Sequence, residues 1–227
     1  MRNLKITLFT IIFSTTGLFA IGGIGLQLGQ SSFSVTESTD SDIPGVTLTN
    51  GSFDGAYVFG GYLYIDAIPF IDLEVDANLR GNKYEINFVN DFGPMEPIKF
   101  GWASADVYYT LRKKVVGLSI PFLAGAKLHA GGGYNTHVTT PLADIAMITK
   151  LLDGDLSQGD PSALEDNLED YLKDNKIEAS GFHFQTGLQF KLLMLDTFLN
   201  YRYTIVEDVV PDASGFGSIN LRIGFGI

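Results

Sequence analysis

The chain has no cysteine. That excludes a disulfide framework, a thiol nucleophile and a lipid-modified cysteine anchor. Basic residues are scarce, 15 Lys and Arg against 26 Asp and Glu, for a net charge of −11. Nucleic acid is excluded as a partner, because phosphate binding needs clustered Lys and Arg. Beyond residue 20 no stretch is apolar enough for a transmembrane helix. No histidine and carboxylate spacing suggests zinc, and no glycine loop suggests phosphate binding, so no cofactor is expected.

The first residues, "MRNLKITLFTIIFSTTGLFA", do contain one apolar run. Arg2 and Lys5 precede it, and the small residue Ala20 closes it. This is the outline of a secretory signal peptide over 1–20. Residues 21–227 are then read as one all-β domain.

The segment "IDLEVDANLR", residues 71–80, alternates without a break. Ile71, Leu73, Val75, Ala77 and Leu79 are apolar, and the residues between them are polar or charged. Successive strand side chains point to opposite faces, so this is a strand between two media. The pattern recurs in eight segments, near 21–33, 55–66, 70–88, 98–112, 117–134, 179–191, 195–207 and 214–227. In the third, the apolar set shifts to Tyr84, Ile86 and Phe88 after Gly81, which predicts a bulge there. Short links are expected at 67–69, with Pro69 suited to a tight turn, at 113–116 and at 192–194. Longer links are expected at 34–54, 89–97, 135–178 and 208–213.

Alternation alone leaves open which face is wet. Four features favour apolar outside and polar inside. Several strands exceed the usual five or six residues and reach the nine to eleven of a membrane span. Short turns lie on one side and long loops on the other. Tyr and Phe lie along or near strand ends. The polar face carries both signs of charge: Asp72, Glu74, Asp76 and Asp106 could meet Arg80, Lys127, Lys191, Arg202 and Arg222. An open edge in hydrocarbon is costly, so the strands should close. The expectation is a closed eight-stranded antiparallel transmembrane β-barrel with a helical extracellular loop.

With the signal peptide, the alternating strands and the terminal "SINLRIGFGI", the chain resembles the eight-stranded outer-membrane barrels of the OmpA, OmpX and OmpW type. The resemblance implies the bacterial outer membrane, with its lipid and lipopolysaccharide as surroundings. It also implies periplasmic chaperones and the barrel-assembly machinery as partners in biogenesis.

An eight-stranded barrel is just wide enough for side chains to fill. The inward charges, with His129 and His183 on the same face by parity, are therefore first expected to satisfy one another. A Ser and His enzyme acting on lipid A is less favoured, because no neighbouring sequence pairs a serine with a histidine. In the longest link, over 135–178, two short helices are expected. Thr140 and Pro141 would open the first; Pro161 and a Ser162 to Glu165 capping box would open the second. Between them Asp153, Asp155 and Ser157 match the first ligand spacings of a calcium loop, but glycine and glutamate each fall one place late. Two functions follow: a non-enzymatic surface-interaction or structural protein working through its loops, or a narrow channel for small or hydrophobic solutes.

Overall fold

The computed structural model describes residues 22–66, 71–91, 93–120, 123–151, 168 and 171–226. The expected signal peptide, Pro69, Asp153, Asp155, Ser157 and Ile227 lie outside the described residues.

Eight long strands form a hydrogen-bonded ring: β1 (Gly22–Val35), β4 (Phe53–Ile65), β5 (Asp72–Asn90), β7 (Ile98–Ile120), β8 (Ala124–Thr139), β9 (Ile177–Leu192), β10 (Leu195–Val210) and β11 (Ala213–Gly226). Each pairs antiparallel with the next, and β11 pairs with β1. Short strands β2 (Ser38–Asp40), β3 (Thr47–Asn50) and β6 (Gly93–Pro94) extend the sheet at the long-loop end. Paired residues can be followed once around, from Gly22 through Ile65, Leu73, Leu111, Gly132, Phe184, Tyr203 and Gly217. The path returns to Ser32, ten residues along β1 from its start. Such a stagger tilts the strands against the ring axis by about 35–45°.

The two faces are inverted relative to a water-soluble protein. Leu28, Phe59, Leu79, Phe184, Leu199 and Leu221 are exposed on the outside, whereas Glu74, Asp76, Arg112, Arg202 and Arg222 are buried within. This is the arrangement expected from the alternating pattern.

The third long strand differs from expectation. No bulge occurs at Gly81, because β5 pairs with β7 without a shift from Asp72–Arg112 to Ile86–Ile98. What changes there is the chemistry of both faces. Inward residues pass from Asp76, Asn78 and Arg80 to Tyr84, Ile86 and Phe88, all buried. Outward residues pass from Val75, Ala77 and Leu79 to Lys83, Glu85 and Asn87. One unbroken strand thus runs from an inverted zone into an ordinary one.

Two links also differ. The turn expected at 113–116 is strand, and β7 continues to Ile120. A register shift between Lys114 and Val116 resets the alternation, which is why the pattern reads as a break. The longest link is narrower than 135–178, since β8 runs to Thr139 and β9 begins at Ile177. Within it lies helix α1 (Ile145–Leu151). Its cap is Asp144, whose Oδ1 accepts from Met147 N at 2.6 Å. Thr140, the expected cap, instead accepts from Ala103 N at 3.0 Å and ties the link to β7. Of the second expected helix, residues 171–174 are helical, and most of the remainder lies outside the described residues.

The helix does not stand clear of the ring. Ile145, Met147, Ile148 and Leu151 are buried in one apolar cluster with Leu48 of β3, Ile86 of β5, Trp102 of β7 and Phe216 of β11. The long-loop end of the interior is therefore filled and covered.

Candidate functional site

Below that apolar layer the interior is polar, and four arginines organise it. Arg222 on β11 sends Nη1 to Glu74 Oε1 and Nη2 to Asp76 Oδ2, both at 2.9 Å. Its Nε donates to Gln27 Oε1 at 2.8 Å. Arg202 on β10 donates to Asp76 Oδ2 and, through Nε, to Gln185 Oε1 at 3.0 Å. Arg112 on β7 reaches Glu74 Oε2 and Asp66 Oδ1, each at 3.0 Å. Arg80 on β5 pairs with Asp106 and donates to Ser31 Oγ at 2.6 Å and the Tyr108 hydroxyl at 2.8 Å.

Each guanidinium also lies over an aromatic ring. Arg202 sits 3.9 Å from the Tyr108 centroid, Arg112 4.6 Å from Tyr64, Arg80 4.7 Å from Phe216 and Arg222 5.1 Å from Tyr62. Such contacts contribute about 0.5–2 kcal/mol each, more when desolvated. Buried arginines are tolerable only when paired and hydrogen-bonded; each of the four is ion-paired and hydrogen-bonded, although Arg112 Nε has no hydrogen-bond partner among the described residues.

The expected charge network is thus brought together unevenly. Glu74, Asp76, Arg80, Asp106, Arg202 and Arg222 are fully buried and joined by ion pairs. Asp72, Lys127 and His129 lie at the short-turn mouth, with His129 Nε2 3.8 Å from Asp72 Oδ2 and Lys127 Nζ 3.9 Å from Asp66 Oδ2. Lys191 is partly exposed, and among the described residues no ion pair within 4 Å includes it. His183 accepts or donates at Nε2 to Thr110 Oγ1, 2.8 Å away. Both residues are buried, at 1% and 0% exposure.

Sequence reasoning missed Arg112, Gln27, Gln185, Asp196 and His137. Arg112 was legible, since it continues the inward set of Asp106, Tyr108 and Thr110. His137 falls in the expected link 135–178, because the sequence pattern of this strand ends at Tyr134; the structure buries it beside Asn135, whose Oδ1 is 2.9 Å from Nε2. Asp196 accepts from the Tyr64 hydroxyl and from Gln189 Nε2, closing the network at the short-turn end. Among the described residues no group of three or more His, Cys, Asp or Glu side chains could hold a metal.

No protein-family model matches the sequence, and no curated protein does. Several solved structures align over most of the chain. The outer membrane protein OprG of Pseudomonas aeruginosa covers 92% of this chain and 95% of its own, at 10% identity and a TM-score of 0.47. The N-terminal β-barrel domain of OprF from the same organism covers 92% and 99%, at 8% identity and 0.43. Ail, the attachment invasion locus protein of Yersinia pestis, solved with the heparin analogue sucrose octasulfate, covers 91% and 99%, at 11% identity and 0.42. At these values the likeness carries no argument about activity.

Proposed function

We propose that the chain is a bacterial outer-membrane β-barrel with a sealed interior, which anchors a folded head at the cell surface. The observation that carries this reading is the pairing of an apolar exterior with a charged interior closed over by an apolar layer. On β10 the exposed outward set runs from Leu195 through Leu199, Tyr201 and Tyr203 to Ile205. Tilted strands of that length rise roughly 27 Å, close to the apolar band of about 25 Å that outer-membrane barrels present. The ring leaves no open edge in that band, as hydrocarbon demands.

The short turns then face the periplasm and the covered end faces outward. Lipid and lipopolysaccharide surround the barrel, and chaperones and the barrel-assembly machinery deliver it. The link between β8 and β9 is acidic in sequence: nine Asp and Glu against three Lys lie between residues 139 and 177. Its role is non-enzymatic, and interaction at the surface suits it better than solute passage. A channel would have to dislodge the Arg222–Glu74 and Arg202–Asp76 pairs and then the cluster around Trp102 and Met147. The test is conductance in planar bilayers. The sealed reading expects no steady current; a stable ohmic current from the full chain overturns it and favours the narrow channel.

A further inference from the structure

A groove of about 1220 Å³ indents the outer face of the ring across β4, β1, β11 and β10. Leu28, Leu199 and Leu221 line one part of it. Gln30, Ser32, Ser34 and Asp54 line another, beside Tyr57, Tyr201 and Tyr203. The floor is thin because β11 carries glycine at two outward positions. A Cβ on Gly217 would stand 3.1 Å from the Tyr201 hydroxyl oxygen, and one on Gly215 would stand 3.3 Å from that of Tyr203. The two phenols therefore lean over the glycines and bring their hydroxyls to the groove.

We propose that this groove holds the sugar headgroup of a membrane glycolipid, with an acyl chain against Leu28, Leu199 and Leu221. Three observations select that occupant. Among the described residues Asp54 is the only charged one lining the groove, and no Lys, Arg or His lines it, so a phosphate headgroup meets no counter-charge there. Ser34 Oγ donates to Asp54 Oδ1 at 2.6 Å, which holds the carboxylate at the groove while lone pairs remain for hydroxyl donors. Flat tyrosine rings beside hydroxyl, amide and carboxylate groups offer both halves of sugar recognition: apolar stacking and hydrogen bonds. The depth also fits. Along β1 the outward residues pass from Ile24, Leu26 and Leu28 to Gln30, Ser32 and Ser34, the level where headgroups meet chains.

The inference rests on the membrane placement proposed above. Purified full-length protein is first floated with phosphatidylcholine vesicles; failure to float overturns both readings. Floating protein is then taken into detergent and examined by native mass spectrometry. The probes are monoglucosyl diacylglycerol, phosphatidylethanolamine and phosphatidylglycerol with matched chains. The glucosyl lipid is expected to be retained at least ten-fold more than either phospholipid. Ser32→Trp, which fills the groove, and Gln30→Leu, at an exposed side chain, should each remove that preference. Equal retention of all three lipids overturns this inference alone. So does a preference for phosphatidylethanolamine, which assigns Asp54 to an ammonium group. Should Ser32→Trp fail to fold, Gln30→Leu decides the matter, and unchanged selectivity in it overturns the site.

Discussion

Arg222 Nη1 lies 2.9 Å from Glu74 Oε1 across the interior, joining β11 to β5, two strands that are not neighbours in the ring. The pair acts as a brace between opposite walls. Glu74 also receives Arg112, and Arg202 comes within 3.8 Å. Glu74→Ala would leave these guanidinium groups short of one buried counter-charge. Breaking a buried pair by removing one partner costs about 3–5 kcal/mol. The expected outcome is a lower urea midpoint for the refolded protein, read by heat-modifiable gel mobility. Glu74→Leu combined with Arg222→Leu should lose less than Glu74→Ala, because no charge is then stranded by that pair. A double variant weaker than the single one would mean that the brace is not the source of the loss.

Leu199 and Asn200 are adjacent and face opposite media. Leu199 is exposed on the outer wall, and Asn200 is buried with its side-chain amide against the Arg222 guanidinium, where hydrogen bonding requires the amide oxygen rather than the nitrogen to face Nη1. Leu199→Arg places a charge against hydrocarbon at about 2–4 kcal/mol and should lower insertion into vesicles. From the sequence, Asn200→Arg reads as the milder change, but the structure makes it costly too, since it sets a further cation against Arg222. Asn200→Ala should be mild, and Leu199→Ala should insert normally. Leu199→Arg protein that inserts as well as the parent would refute the assignment of the outer wall.

These two residues show how much of the fold could be read beforehand. Alternation over 199–205 assigns the faces of β10, and the same rule places Glu74, Asp76, Arg202 and Arg222 on one side. Alternation reports which face a residue shares, but not how far a strand runs once its surroundings change. At Gly81 the chemistry of both faces changes while the phase continues, so a change of surroundings along one strand resembles a bulge. At Lys113 and Lys114 a true bulge resembles a turn. The closing of the upper interior was not legible, because Leu48, Trp102, Met147 and Phe216 come from distant segments that no local pattern connects.

Removal of residues 140–175 tests that closure. A loop outside a membrane ordinarily tolerates large changes in length, since closure entropy grows slowly, and on sequence alone replacement of 139–175 by a short Gly/Ser linker reads as harmless to the barrel. The structure shows α1 contributing Met147 and Leu151 to the core that holds Trp102. The expected product is an inserted ring whose upper core is open to water. Trp102 emission should shift to the red and become accessible to iodide, while heat-modifiable mobility is retained. Emission identical to the parent's would show that α1 contributes nothing to the core.

Tyr84 supplies a pH test of the same cap. Its hydroxyl accepts from Ala143 N at 3.0 Å, and its ring stacks on Phe53 at 5.6 Å between centroids, Phe53 in turn lying 6.0 Å from Trp102. Burial pushes this hydroxyl up from 10.0 to about 12. A phenol whose folded value is raised favours the neutral form, so its contribution is fully present below pH 10.0 and is lost as pH rises through about 12. Trp102 fluorescence should therefore change between those two values, before the ring itself unfolds. Tyr84→Phe cannot ionise and should hold the parent spectrum further into alkali. It leaves the buried Ala143 N–H without its acceptor, at a cost of about 1–3 kcal/mol. Identical alkaline profiles for the two proteins would assign the transition to the other tyrosines and leave Tyr84 without a part in holding the cap.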